Sequence, residues 1–120
     1  MLSTLIFAAV LSQAQAPQAQ PGAADLQSAF GNTLLSTYPD GRTARMWLQP
    51  GGRFEGRGRR GGLSSGVWRI RDGQVCFSQR RPLPLPGSFC TPIVRGGIGA
   101  SWTAKAVTGE TIRVQLIAGR

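Results

Sequence analysis

The sequence contains no histidine, and that removes the commonest general base, the commonest metal ligand and every serine-histidine or cysteine-histidine nucleophile. Acids are also scarce. Asp25, Asp40, Glu55, Asp72 and Glu110 are the five in 120 residues, and Asp40, Asp72 and Glu110 fall at turn signals, where they serve hairpin geometry first. A paired-carboxylate mechanism needs two acids converging across a cleft, and a metal cage needs more ligands than this chain can spare. Lys105 is the one lysine, and it shares only an outer strand face with Ser101, which does not make a Ser-Lys pair. Non-enzymatic work is therefore expected, with no cofactor, no metal and no catalytic residue.

Long apolar runs are missing too. The longest, Leu2 to Leu11 (LSTLIFAAVL), is half of the roughly 20 residues that a membrane-spanning helix needs, but it suits the apolar core of a secretory signal. Small residues follow at peptidase positions, so residues 1–16 read as a signal peptide cleaved after Ala14 or Ala16. Residues 17–30 read as a flexible leader with a helical turn near Ala24 to Phe30, and 31–120 as a single domain. A periplasmic or secreted protein follows, with no transmembrane segment once mature.

What the chain does have is cations, glycine and turns. Fourteen Lys and Arg against five Asp and Glu give a net charge of +9, and thirteen of the fourteen are Arg. GC-rich coding alone can produce that skew, while the charge itself steers the protein toward anionic surfaces. Seventeen glycines and eight prolines imply many turns. From Asn32 onward, turn signals recur about every ten residues, at Asp40-Gly41, Pro50-Gly51-Gly52, Arg60-Gly61-Gly62, Asp72-Gly73, Pro82 to Gly87, Gly96-Gly97 and Thr108-Gly109.

Between those signals the residues alternate. Ala44, Met46 and Leu48 share one face; so do Trp68 and Ile70, Val75 and Phe77, Trp102, Ala104 and Ala106, and Ile112, Val114 and Leu116. Trp47 breaks the pattern by sharing a face with Arg45. Period two with a polar outer face predicts about eight short antiparallel strands in a meander. An all-β small barrel hides the edges of such a meander best, with a two-sheet sandwich as the alternative.

Cys76 and Cys90 are the only cysteines, an even count that suits an oxidising compartment. They flank a Pro-rich crossing, RRPLPLPGS, and a hairpin there would pair them in a structural disulfide. The segment Arg53 to Gly62, RFEGRGRRGG, has the composition of an RGG stretch, yet as a hairpin it turns Phe54, Gly56 and Gly58 inward and lines the solvent face with arginine. Arg53, Arg57, Arg59, Arg60, Arg69 and Arg71 are the candidate anion contacts, for an anionic envelope component. Nucleic acid is not expected of an exported chain. Leu83 and Leu85, within the Pro82 to Pro86 run, are the candidate contacts to another exported protein.

The strings GNTL at 31–34, DGR at 40–42 and GVWRIRDGQVC at 66–76 resemble small exported proteobacterial proteins of unknown function. That resemblance implies a fold and an exported location, not an activity; the residues themselves point to a binding or envelope-accessory domain with its contacts on the arginine-bearing outer face and the 82–86 loop. A more distant likeness is to exported protease inhibitors built on an eight-stranded barrel with one disulfide. It implies an inhibitory N-terminal arm, here residues 17–30.

Overall fold

The computed structural model describes residues 21–120; the signal and cleavage positions expected at 1–16 lie outside the described residues. Eight strands follow a short 3-10 helix at Ala23–Ala29: β1 (Thr33–Thr37), β2 (Thr43–Gln49), β3 (Arg53–Arg57), β4 (Leu63–Arg71), β5 (Gln74–Arg81), β6 (Phe89–Pro92), β7 (Ser101–Lys105) and β8 (Thr111–Ile117). All pairings are antiparallel and form one sheet in the order β6-β5-β4-β3-β2-β1-β8-β7. Each strand is thus a hairpin partner of its sequence neighbour, except across β6 and β7, and the pairing of β1 with β8 curls the meander into a nearly closed barrel.

The turns that set this register can be traced to single residues. Arg71 pairs with Gln74, so Asp72-Gly73 forms a two-residue turn with both φ positive, 50° and 74°, the conformation that Asp-Gly favours. Gly66 has a different reason. It sits opposite a bulge at Arg80 in β5, and a Cβ there would lie 2.0 Å from the Ser78 carbonyl oxygen and 2.9 Å from the Phe54 ring. Only glycine lets that backbone pass so close.

Alternation places Leu34, Leu48, Phe54, Val75, Phe77, Ile112, Val114 and Leu116 inside. Phe54 meets Phe77 edge to face with centroids 5.2 Å apart, and Phe77 lies 6.0 Å from Phe89. Trp68 also turns inward and donates its indole N–H to the Gln49 carbonyl at 3.0 Å. β3 ends at Arg57, however, so Gly58 is not an inward strand residue: it is exposed and closes the turn by donating to Gly62 O at 2.8 Å. Trp47 faces outward, donating to Thr33 Oγ1 at 2.9 Å, with the Arg120 guanidinium over its ring.

The seam between β6 and β7 is bridged by side chains. Trp102 Nε1 donates to Thr91 Oγ1 at 2.6 Å, and Thr91 is 0% exposed. Cys76 and Cys90, register partners on β5 and β6, form the disulfide, with Cα atoms 4.0 Å apart. The bond ties the shortest strand to its one hydrogen-bonded neighbour in the sheet.

One end of the barrel is closed by the 3-10 helix. Leu26 and Ala29 enter the core, and Phe30 packs 6.1 Å from Trp68. Asp25 accepts from the Gly22 N–H at 2.9 Å and from Arg95 Nε at 3.2 Å. The Gly22 backbone bond, helped by Arg95 and opposed by desolvation, holds the Asp25 carboxyl below its usual range. The helix occupies the later part of the stretch expected as a leader, and it plugs the barrel there.

Candidate functional site

Hairpin topology sends the turns at 38–42, 58–62, 82–88 and 106–110 to the end opposite the helix. Toward that end the inward side chains of four adjacent strands become small: Ser36 on β1, Ala44 on β2, Gly56 on β3 and Ser64 on β4. Ser36 is the register partner of Ala44, and Gly56 of Ser64. Eight-stranded barrels are just wide enough for side chains to fill, so a run of small residues leaves a hollow. The hollow here is a cavity of about 220 Å³ that opens at this end.

Phe54, Phe77, Phe89, Met46 and Ile112 supply its apolar wall. Its mouth is framed by Tyr38, by Leu85 and Pro86 of the β5–β6 loop, and by Val107 of the β7–β8 turn. That loop is pinned: Gln79 Nε2 donates to Leu83 O at 3.1 Å, the Leu85 N–H donates to Gln79 O at 3.3 Å, and the Ser78 and Ser88 hydroxyls lie 3.1 Å apart. The shape is the one expected of a small-molecule site, a concave and mostly apolar pocket with a few polar groups.

Arginine dominates the electrostatics of the mouth. Arg59 reaches from the β3–β4 turn to Glu110 on both carboxylate oxygens, at 3.1 and 3.3 Å, and lies 3.7 Å from Asp40. Its guanidinium also stacks 4.3 Å from the Tyr38 ring centroid. The Arg59 bonds, and then the Thr108 hydroxyl, hold the Glu110 carboxyl below its usual range, while Glu110 raises Arg59 further. This clasp joins three turns and engages both acids found at the open end. Arg45 and Arg57 are different. They are direct register partners on the outer face of β2 and β3, the face that carries Trp47; both are exposed at the rim of the cavity, and neither joins an ion pair among the described residues. Like charges set opposite each other repel, so an anion bound between them relieves that cost.

No known family, curated protein or solved structure matches this chain. Its site is therefore defined by geometry, and among the described residues no group of three or more metal-ligating side chains gathers anywhere.

The six arginines singled out from the sequence do not form one surface. Arg57 lines the cavity mouth and Arg60 sits exposed on the adjoining turn, whereas Arg59 is half-buried in its clasp. Arg69 and Arg71 are exposed on the outer wall of β4 toward the plugged end, and Arg53 starts β3 at that same end. Leu83 and Leu85 are both exposed, and Leu85 also lines the cavity. Arg45, Tyr38 and Val107 escaped the sequence reading because each belongs to a different turn or strand and only barrel closure brings them together. The one signal for the hollow was the small residues in otherwise large alternating positions.

Asp25 is held by Arg95, Asp40 and Glu110 by Arg59, and Glu55 by Arg120; Asp72 forms a hairpin turn. Four of the five carboxylates are thus spent on structural contacts.

Proposed function

We propose that this chain is an exported, non-enzymatic binding domain that takes the apolar part of a small molecule into the open end of its barrel. The observation that carries this reading is the cavity of about 220 Å³ between the small residues of β1 to β4 and the aromatic wall. An apolar cavity of about 150 Å³ accepts benzene, so this one has room for a chain or ring of roughly six to ten carbons. Arg45 and Arg57, on the outer rim of the mouth, favour an anionic head that extends past that rim. Export is supported by the Cys76–Cys90 disulfide, which persists in oxidising compartments. The apolar stretch at 2–11 and the resemblance of the Gly-Val-Trp strand to small exported proteins support it as well.

Isothermal titration with hexanoate, octanoate and decanoate, and with the matching alcohols, tests the reading. Saturable binding of at least one carboxylate is expected, stronger than that of its alcohol. Ala44→Phe, which fills the hollow, should abolish it while leaving the circular dichroism unchanged. Absence of saturable binding to the unmodified protein across the series would sink the proposal.

A further inference from the structure

We propose that the open end of the barrel is a docking surface for an anionic lipid bilayer, with the turns pressed onto the headgroups and the strands standing away from them. This goes beyond ligand binding in the cavity and does not depend on it.

Two independent asymmetries point the same way. Six large apolar side chains are exposed among the described residues, and four of them crowd the open end: Leu63 (66% exposed), Leu83 (68%), Leu85 (51%) and Val107 (70%). They come from three separate turns and loops, so no single hairpin explains their convergence. Exposed apolar residues gathered at one end mark an interaction surface rather than random scatter. Among the described residues, only Val67 on the β4 wall and Ile98 near the plugged end lie elsewhere.

The second asymmetry is charge. Arg45, Arg57, Arg60, Arg80 and Arg81 are exposed at or near this end, and none of them joins an ion pair among the described residues. The acids of this end, Asp40 and Glu110, are both turned onto Arg59. Apolar tips ringed by unneutralised arginines match a bilayer surface, where side chains enter the headgroup boundary and basic residues meet lipid phosphate. A protein partner would need a satisfied apolar core and a mixed-charge rim, whereas both acids of this rim are already paired with Arg59 and its unpaired charges are all arginine. Insertion of the barrel wall itself is opposed by Arg69 and Arg113, which stand outward on β4 and β8 where a spanning barrel needs an apolar band.

Co-sedimentation of the purified, disulfide-bonded protein with phosphatidylcholine vesicles, with and without phosphatidylglycerol, tests this. Binding is expected only with the anionic lipid and should weaken with salt. Leu63→Asp with Leu83→Asp lies outside the cavity lining, so it leaves the carboxylate titration intact, and it should lower partitioning at least tenfold. Arg57→Gln with Arg60→Gln should lower it by about tenfold or more, while Arg69→Gln with Arg71→Gln, an equal loss of charge at the wall, should change it less than about threefold. Ile98→Asp near the plugged end should have no effect. The proposal is overturned if no binding to anionic vesicles occurs at low salt. It is overturned equally if the two arginine pairs act alike, if the leucine pair has no effect, or if the protein is retained by an anionic polysaccharide but not by vesicles.

Discussion

Removing the disulfide should cost more at one strand than its chain entropy alone conveys. Cys76 and Cys90 are 14 residues apart, and closing a loop of that length in the unfolded chain is worth about 3 kcal/mol. Against a typical stability of about 5–15 kcal/mol, that is a large share, and for a domain of this size it corresponds to a melting temperature lower by about 12–24 °C. The local effect follows from β6. It has four residues, pairs with β5 alone in the sheet, and ends in Pro92, which has no N–H to donate. The disulfide sits in the middle of that pairing and holds Thr91 in place under Trp102. For Cys76→Ala with Cys90→Ala, denaturant melts should therefore show the loss of about 3 kcal/mol. Amide exchange should show protection falling first in β6 and then at β7, with β1, β2 and β8 affected only through global unfolding. A loss below about 1 kcal/mol, or uniform loss of protection around the barrel, would refute the assignment of the bond as the staple of the seam.

Two further outcomes are expected. Thr91→Val keeps the shape of the most buried polar side chain but leaves the Trp102 indole N–H without its acceptor, which should cost about 1–3 kcal/mol, with Thr91→Ser recovering much of it; urea melts of the three proteins decide. Acid should destabilise the domain through Asp25 and Glu110, whose folded carboxyls lie below the usual range: such groups stabilise above the unfolded value and lose that contribution as pH falls through the lower folded one. Urea midpoints should hold down to about pH 5 and then fall below about pH 4, with a shallower fall in Glu110→Gln.

The strands were legible because alternation and turn residues agree. Ile112, Val114 and Leu116 point inward as their spacing requires, and Asp72-Gly73 makes the two-residue turn its residues favour. The disulfide was legible for a related reason, since a hairpin around the Pro-rich crossing leaves Cys76 little choice but Cys90. Closure was harder to read. Nothing local in β1 or β8 shows that Leu34 pairs with Leu116, a contact across most of the described chain. Arg59 shows the same limit. In the sequence it is one arginine in RFEGRGRRGG, and only the barrel brings Glu110 within reach, converting a candidate anion contact into a structural clasp.

The two ends of the barrel follow from one fact of chain order. Because the strand number is even and every link reverses the chain, including the loop that joins β6 to β7 without pairing them, β1 and β8 meet with the N-terminal 3-10 helix and the C-terminal residues at the same end, where Thr33 Oγ1 donates to Gly119 O and the Gly119 N–H donates to Asn32 Oδ1. Leu26 and Ala29 then fill that end from outside the sheet, and the strands near it carry large inward residues such as Leu48, Trp68 and Ile70. Among the described residues, every crossing at the far end is a hairpin turn, and no helix covers it. The far end must be filled by strand side chains or left hollow. Ser36, Ala44, Gly56 and Ser64 leave it hollow, at the cost of the dispersion contacts that larger residues would have made. Ser36, Ala44 and Ser64 are places where a larger apolar residue would have filled the interior, while at Gly56 a Cβ would come within 2.8 Å of Ser64 Oγ, so glycine lets these two strands pass close there. That all four fall on adjacent strands at one end is the reason to read the cavity as a site and not as a packing defect.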